Sequence, residues 1–439
     1  MKTGLTHLLA LPLGLFSLIF SLGPFRPLQP SGLRGQALAV QWRSPWLRDQ
    51  LPDPTVNAIV TDYLQVLEDH GLPRSEQGIW IQPSHSQVVE HQGTLPLPAA
   101  SLTKLTTTLA ALKTWPVDHH FDTLVGFTGT LKDGILEGDL VVQGGGDPLF
   151  VWEEGIVLAN HLQTLGIQRV TGDLRVIGPF TMNFETDTKT SAKALYRVMT
   201  ARTWPRSAWR AYANLPPDTP HPHLTIRGSV QAIADGQPSP IWLVRHRSLP
   251  LITILKAMNI YSNNSMAQQV TDLVGGATTV ATTATAAASL PDGEISLVNG
   301  SGLGLENRLS PRAIVAVSLA LEKRLAQDGH SISDVLPVAG QDQGTLNHRY
   351  IPPSAAVKTG TLDQVSALAG LLPTARGPVW FAIINRGWAV PYLRTQQDNL
   401  LQALESHWGT EAVSGPLISP LDRETGDLRY GDPRRNQAP

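Results

Sequence analysis

The chain contains no cysteine. Disulfides, thiolate nucleophiles and cysteine-ligated zinc are therefore excluded, and folding does not depend on an oxidising compartment. An excess of charge of one sign is also missing: 34 lysines and arginines stand against 36 aspartates and glutamates, a formal net charge of −2. With no long basic run either, nothing in the composition calls for a nucleic-acid partner. Long apolar stretches are absent apart from one near the N-terminus. A hydrophobic content of 42% with 16% charged residues is that of an ordinary globular protein, and 439 residues suffice for two domains or one large domain with an insertion.

The one apolar stretch runs from Leu8 to Phe25, behind Lys2 and broken by Pro12 and Gly14. A basic start followed by an apolar core reads as an export signal, and Ala37-Leu38-Ala39 would serve as a small-residue cleavage site. The run is at the lower limit for a spanning helix, so an uncleaved anchor that associates the protein with a membrane is the alternative. Residues 1–39 are read as this segment, which implies an exported protein of the periplasm or cell envelope.

What the sequence does contain is centred on Pro98-Ala99-Ala100-Ser101-Leu102-Thr103-Lys104. Leu102, Leu105, Leu109 and Leu112 recur at helical spacing, so a buried helix is expected to start near Ser101. Lys104 then lies on the same helix face as Ser101, an amine within reach of a hydroxyl. A serine needs a neighbouring base to become a nucleophile, and a lysine serves only when neutral, a state favoured by burial and by a second cation. Alone, so short a pattern recurs by accident. Two later stretches change its weight: Ser262-Asn263-Asn264, and Lys358-Thr359-Gly360 followed by Thr361. Ser-x-x-Lys, Ser-x-Asn and Lys-Thr-Gly in this order are the signature of penicillin-binding proteins and serine β-lactamases.

Other candidates are weaker. Asp118-His119-His120 and His221-Pro222-His223 offer no convincing metal-ligand set. The glycines at 144–146 lack the Lys-Ser/Thr that completes a phosphate loop, so they read as a tight turn.

With its flanking text the chain resembles the D-alanyl-D-alanine carboxypeptidase/endopeptidase family of low-molecular-mass penicillin-binding proteins. The matching residues include Gly144-Gly145-Gly146-Asp147-Pro148, Asn299-Gly300-Ser301-Gly302-Leu303, Leu336-Pro337-Val338-Ala339-Gly340 with Gly344-Thr345-Leu346, and the run from Lys358 to Gly370. The resemblance implies an α/β (α+β) transpeptidase fold like that of the penicillin-binding proteins and β-lactamases, an antiparallel sheet flanked by helices. It implies acyl transfer from a D-alanyl-D-alanine end of a peptidoglycan peptide, inhibition by β-lactam antibiotics, and no metal or organic cofactor. Carried over residue by residue, Ser101 is the nucleophile and Lys104 its base. Ser262 relays a proton to the leaving amine, and Asn264 orients Lys104 and the substrate amide. Lys358 repels a proton from Lys104 and adds positive potential. Thr359 donates to the substrate carboxylate, Gly360 lets substrate lie close to the strand, and the N–H groups of Ser101 and Thr361 form the oxyanion hole. Asn263 and Asn299 stand where the family often has aspartate.

The expected organisation is a catalytic domain built from two segments, 40–122 and 247–412, with a β-rich insertion at 123–246 between them and a polar, disordered tail at 413–439. Two other functions share the motifs. A class A β-lactamase needs a deacylating glutamate, and no Glu four positions before an Asn occurs between Asn264 and Lys358. A non-catalytic peptidoglycan-binding protein on the same fold would have no need of Lys104. Carboxypeptidase and endopeptidase action, and the oligomeric state, are left open by the sequence.

Overall fold

The structure, a computed structural model, describes residues 51–233, 239–410 and 430–439. The segment expected to carry an export signal or anchor lies outside the described residues. Among those residues no helix is long and apolar enough to cross a membrane.

A five-stranded antiparallel sheet forms the main body, in the order Ala356–Leu362, Val365–Leu372, Val379–Arg386, Gln77–Pro83, Val89–His91. Strand side chains alternate between faces, so a sheet covered on both sides wants apolar residues at every position. The 365–372 and 379–386 strands have that composition. Val365, Ala367, Ala369, Trp380, Ala382 and Ile384 enter the core shared with the Thr103–Thr114 and Pro311–Ala326 helices. Leu368, Leu372, Val379, Phe381 and Ile383 enter the core shared with the Pro54–Asp69 and Val390–Trp408 helices.

The Thr103–Thr114 helix is buried along its length from Thr103 to Leu112, although this stretch carries four threonines and a lysine. Buried hydroxyls need partners. Thr106 Oγ1 donates to the Thr103 carbonyl, Thr108 Oγ1 to that of Lys104, and Thr107 Oγ1 to that of Gly300 at 2.9 Å. The last bond ties the helix to the Gly300–Leu303 loop.

A second core draws on residues from Val125 to Val244. Alongside the expected strands it holds elements that were not expected: three helices (Trp152–Thr164, Thr188–Thr200 and Arg206–Asn214) pack among them. Two features require helix here. Leu140–Gln143 and Leu174–Ile177 pair in parallel, so a crossover must join them, and the Trp152–Thr164 helix lies on it. Ser191, Ala192, Leu195, Val198 and Met199 form one buried helical stripe behind an Asp187 cap.

The expected disordered tail is also partly corrected. Residues 411–429 lie outside the described residues, but Asn436–Gln437 pairs with Ile241–Arg247 and becomes the edge of a six-stranded sheet. The polar composition that suggested disorder is used in burial. Arg435 Nη2 bonds Glu154 Oε1, the Gly431 N–H donates to the same oxygen, and Asn436 Oδ1 meets His246 Nδ1 at 2.8 Å. Glu154 and His246 are both buried, and their partners are supplied from the far end of the chain.

Candidate active site

Ser101 occupies a 3-10 turn, Ala100–Leu102, that leads directly into the buried helix. Ala100 has φ 48°, a left-handed conformation that costs an alanine roughly 1–2 kcal/mol. The turn is pressed by Gly302, also left-handed at φ 80°. A Cβ at Gly302 would stand 1.9 Å from the Ala100 carbonyl oxygen, so glycine is required for this approach. Ser262 is a second left-handed residue, at φ 51°. It follows the Leu251–Ile260 helix and precedes the Asn264–Leu273 helix, whose first turn is capped by Asn263 accepting from the Met266 N–H at 3.0 Å. Asparagine in place of aspartate at 263 therefore keeps a capping function.

The three sequence motifs meet around two amines. Lys104 Nζ lies 2.8 Å from Ser101 Oγ, 2.8 Å from Asn264 Oδ1 and 2.7 Å from the Ser301 carbonyl oxygen. Lys358 Nζ donates to Ser262 Oγ at 3.0 Å and to the Thr359 carbonyl at 2.8 Å. Both lysines are fully buried, and neither pairs with a carboxylate among the described residues. Burial disfavours the ammonium form and pushes the Lys104 pKa down to about 7. Lys358 is pushed well below its ordinary value, first by burial and then by the charge of Lys104.

An amide oxygen and a carbonyl oxygen can only accept, so Asn264 and Ser301 take two of the Lys104 hydrogens. In the neutral amine the remaining position is a lone pair, and it faces Ser101 Oγ. The geometry is that of a base ready to take a hydroxyl proton.

The Ala356–Leu362 strand passes beside Ser101. A Cβ at Gly360 would meet the Ala99 carbonyl at 2.9 Å and the Ser101 nitrogen at 3.1 Å. Thr359 is buried and Thr361 exposed on the same strand. Ser101, Lys104, Ser262, Asn264, Lys358, Thr359, Gly360 and Thr361 thus come from three separate regions of the chain to one place. His119 does not join them; it stacks on Trp115, and His120 bonds the Ser248 carbonyl at 2.7 Å.

Sequence reasoning missed the backbone of Ser301, whose carbonyl accepts from Lys104. The available signal was a serine between two glycines in Asn299-Gly300-Ser301-Gly302. Asn299 shapes this loop: its Oδ1 accepts from the Ser301 and Gly302 N–H groups and from Ser301 Oγ, while its Nδ2 donates to the Leu303 carbonyl at 2.7 Å. An aspartate would lack the last donor. Lys256 was missed as well. Its buried ammonium donates to Asp342 at 2.6 Å and to the Ser333 and Leu336 carbonyls, fixing the helix that presents Ser262.

The profile of the D-Ala-D-Ala carboxypeptidase 3 (S13) family matches residues 60–178 and 223–406. Carboxypeptidase DacB of Mycolicibacterium smegmatis is 27% identical over 399 residues, covering 81% of this chain and 85% of that protein. A D-alanyl-D-alanine carboxypeptidase of an Actinomadura species is 30% identical over 213 residues, 44% of this chain and 39% of that protein. Among solved structures, a penicillin G-acylated predatory endopeptidase from Bdellovibrio bacteriovorus superimposes with a TM-score of 0.69 at 22% identity, covering 80% of this chain and 98% of the other. Penicillin-binding protein 4 from Haemophilus influenzae gives a TM-score of 0.60 at 18% identity, with 79% and 99% covered. The expected penicillin-binding-protein fold is the fold observed. With the family profile matched over more than half of its length, the chain belongs to the D-Ala-D-Ala carboxypeptidase 3 (S13) family of serine-type carboxypeptidases.

Proposed function

We propose that this protein hydrolyses the D-alanyl-D-alanine end of peptidoglycan peptides, and cross-links of the same stereochemistry, through an acyl-enzyme on Ser101, and that penicillin acylates the same oxygen. The observation that carries this reading is the Lys104 amine. Two of its contacts are pure acceptors, its third is Ser101 Oγ, and burial holds its pKa near neutrality.

In the forward step neutral Lys104 takes the Ser101 proton as Oγ attacks the carbonyl of the penultimate D-alanine. Negative charge on the carbonyl oxygen is received by the Ser101 and Thr361 N–H groups. The C–N bond then breaks; the proton held by Lys104 passes through the Ser262 hydroxyl, itself bonded to Lys358, to the leaving amine, and Lys104 is neutral again. Water attacks the ester with Lys104 again as base, releasing the shortened peptide and regenerating Ser101. Thr359 donates to the substrate carboxylate, Gly360 lets the peptide lie against the strand, and Asn264 holds both Lys104 and the substrate amide. A β-lactam presents a strained amide with a carboxylate similarly placed, so the same attack stops at a stable ester. Such an enzyme acts in the cell envelope, which accords with the export segment expected at 1–39.

The test is incubation with labelled penicillin followed by peptide mapping, with defined muropeptides as substrates and mass spectrometry of the products. The adduct is expected on Ser101, and Ser101→Ala is expected to lose it. An adduct elsewhere, or undiminished labelling of Ser101→Ala, overturns the assignment. Loss of a terminal D-alanine against opening of a cross-link separates the two activities.

A further inference from the structure

A cation that the chemistry above does not use stands against the Ala356–Leu362 strand. Arg394, half-buried near the start of the Val390–Trp408 helix, donates from Nη2 to Thr361 Oγ1 at 2.7 Å. The nearby carboxylate, Asp398, is already engaged: Arg349 Nε and Nη2 both donate to it, and so does the Tyr350 N–H. Among the described residues Arg394 has no carboxylate partner of its own. A guanidinium offers five donors, and here one is directed at a hydroxyl on the substrate-facing strand.

The arrangement has a direct consequence for Thr361. A hydroxyl that accepts from a cation keeps its own proton free, and that proton is polarised for donation to an anion. Lys358, by contrast, is fully buried with its amine directed to Ser262 and Thr359. Arginine stays protonated at any working pH, and its planar fork matches a carboxylate.

We propose, on the basis of the hydrolase reading above, that Arg394 acting with Thr361 anchors the free carboxylate of the substrate's terminal D-alanine and so determines selectivity for peptides ending in that carboxylate. Arg394 takes no part in proton transfer; its contribution is a charge placed where the leaving amino acid ends.

The test compares two peptides that differ at one group, one ending in D-alanyl-D-alanine and the other in its C-terminal carboxamide. Wild-type enzyme is expected to favour the carboxylate in kcat/KM. Arg394→Ala is expected to reduce that preference about 10- to 100-fold, the range for a hydrogen bond to a charged partner, mainly through a higher KM. Arg394→Gln retains an N–H for Thr361 but no charge and should lose most of the preference, whereas Arg394→Lys should retain some of it. An unchanged preference in Arg394→Ala and Arg394→Gln, or an equal loss on both peptides, overturns the proposal. Wild-type protein that cleaves neither peptide refutes the hydrolase reading instead, and the anchor with it.

Discussion

Lys104 and Lys256 are both lysines, both fully buried, and both hydrogen-bonded to two oxygens that can only accept, yet they sit in regions of opposite character. Lys256 has Asp342 at 2.6 Å, so its charge is compensated where it lies. It locks the Leu251–Ile260 helix to the 333–342 segment and has no reacting partner. Lys104 has a serine hydroxyl in the equivalent place, with nothing to compensate an ammonium. Its burial therefore acts on the proton, drawing the pKa down to about 7. The partner decides whether a buried cation is kept as a charge that ties elements together or is pressed to give up its proton. Glu154 and Arg435 repeat the structural solution where the C-terminal strand joins the second core.

The strongest break of this contrast is Lys104→Met. Without the base, penicillin acylation and peptide hydrolysis are expected to fall on the order of 10⁴-fold. Stability should move the other way. Because the folded state holds Lys104 below its ordinary pKa, it binds fewer protons than the unfolded chain between about pH 7 and 10.5, and this group's contribution to stability rises with pH across that window. Below about pH 7 the full cost of burying the ammonium is present, and methionine removes it. Denaturant titrations at pH 6 and pH 10 should show a gain for Lys104→Met that shrinks at the higher pH. A loss of stability at pH 6 would contradict the uncompensated charge.

Lys256→Met should do the opposite. It leaves Asp342 buried without its cation, at a cost of about 3–5 kcal/mol. The midpoint of denaturation should fall, and Ser101 labelling should decline in step with the folded fraction rather than in rate. Replacing Asp342 by leucine in the same protein should recover some of the loss. A Lys256→Met protein as stable as wild type would remove the distinction between the two lysines.

The smallest effect sharpens the comparison from the side of pH. If neutral Lys104 is the base, kcat/KM for acylation should rise about tenfold per pH unit up to about 7 and level off above it. A profile flat from pH 5 to 8 would assign the proton to another group.

Much of the site was legible from local text because its chemical groups lie in short contiguous motifs, each delivered by one turn or strand. Ser101 and Lys104 share a helical face, and Lys358 through Thr361 lie along one strand. The helix start near Ser101 followed from apolar periodicity. Other features were not legible. The helices of the second core were hidden between short strand-like runs, although the stripe at Leu195, Val198 and Met199 was present. The tail looked disordered because its burial rests on Glu154 and His246, far away in sequence. Arg394 belongs to no motif, so nothing in the text around it marked it out.

By itself the sequence determined which functional groups exist and in what order, and hence the family. Residue identity and local spacing are properties of the chain. Tertiary structure decided what those groups can do. Asn264 and the Ser301 carbonyl stand 160 and 197 residues from Lys104, yet they take two of its hydrogens and turn the third position toward Ser101. The depressed pKa of Lys104 belongs to no motif, because desolvation depends on everything packed around the amine, and that environment exists only once the helix is enclosed.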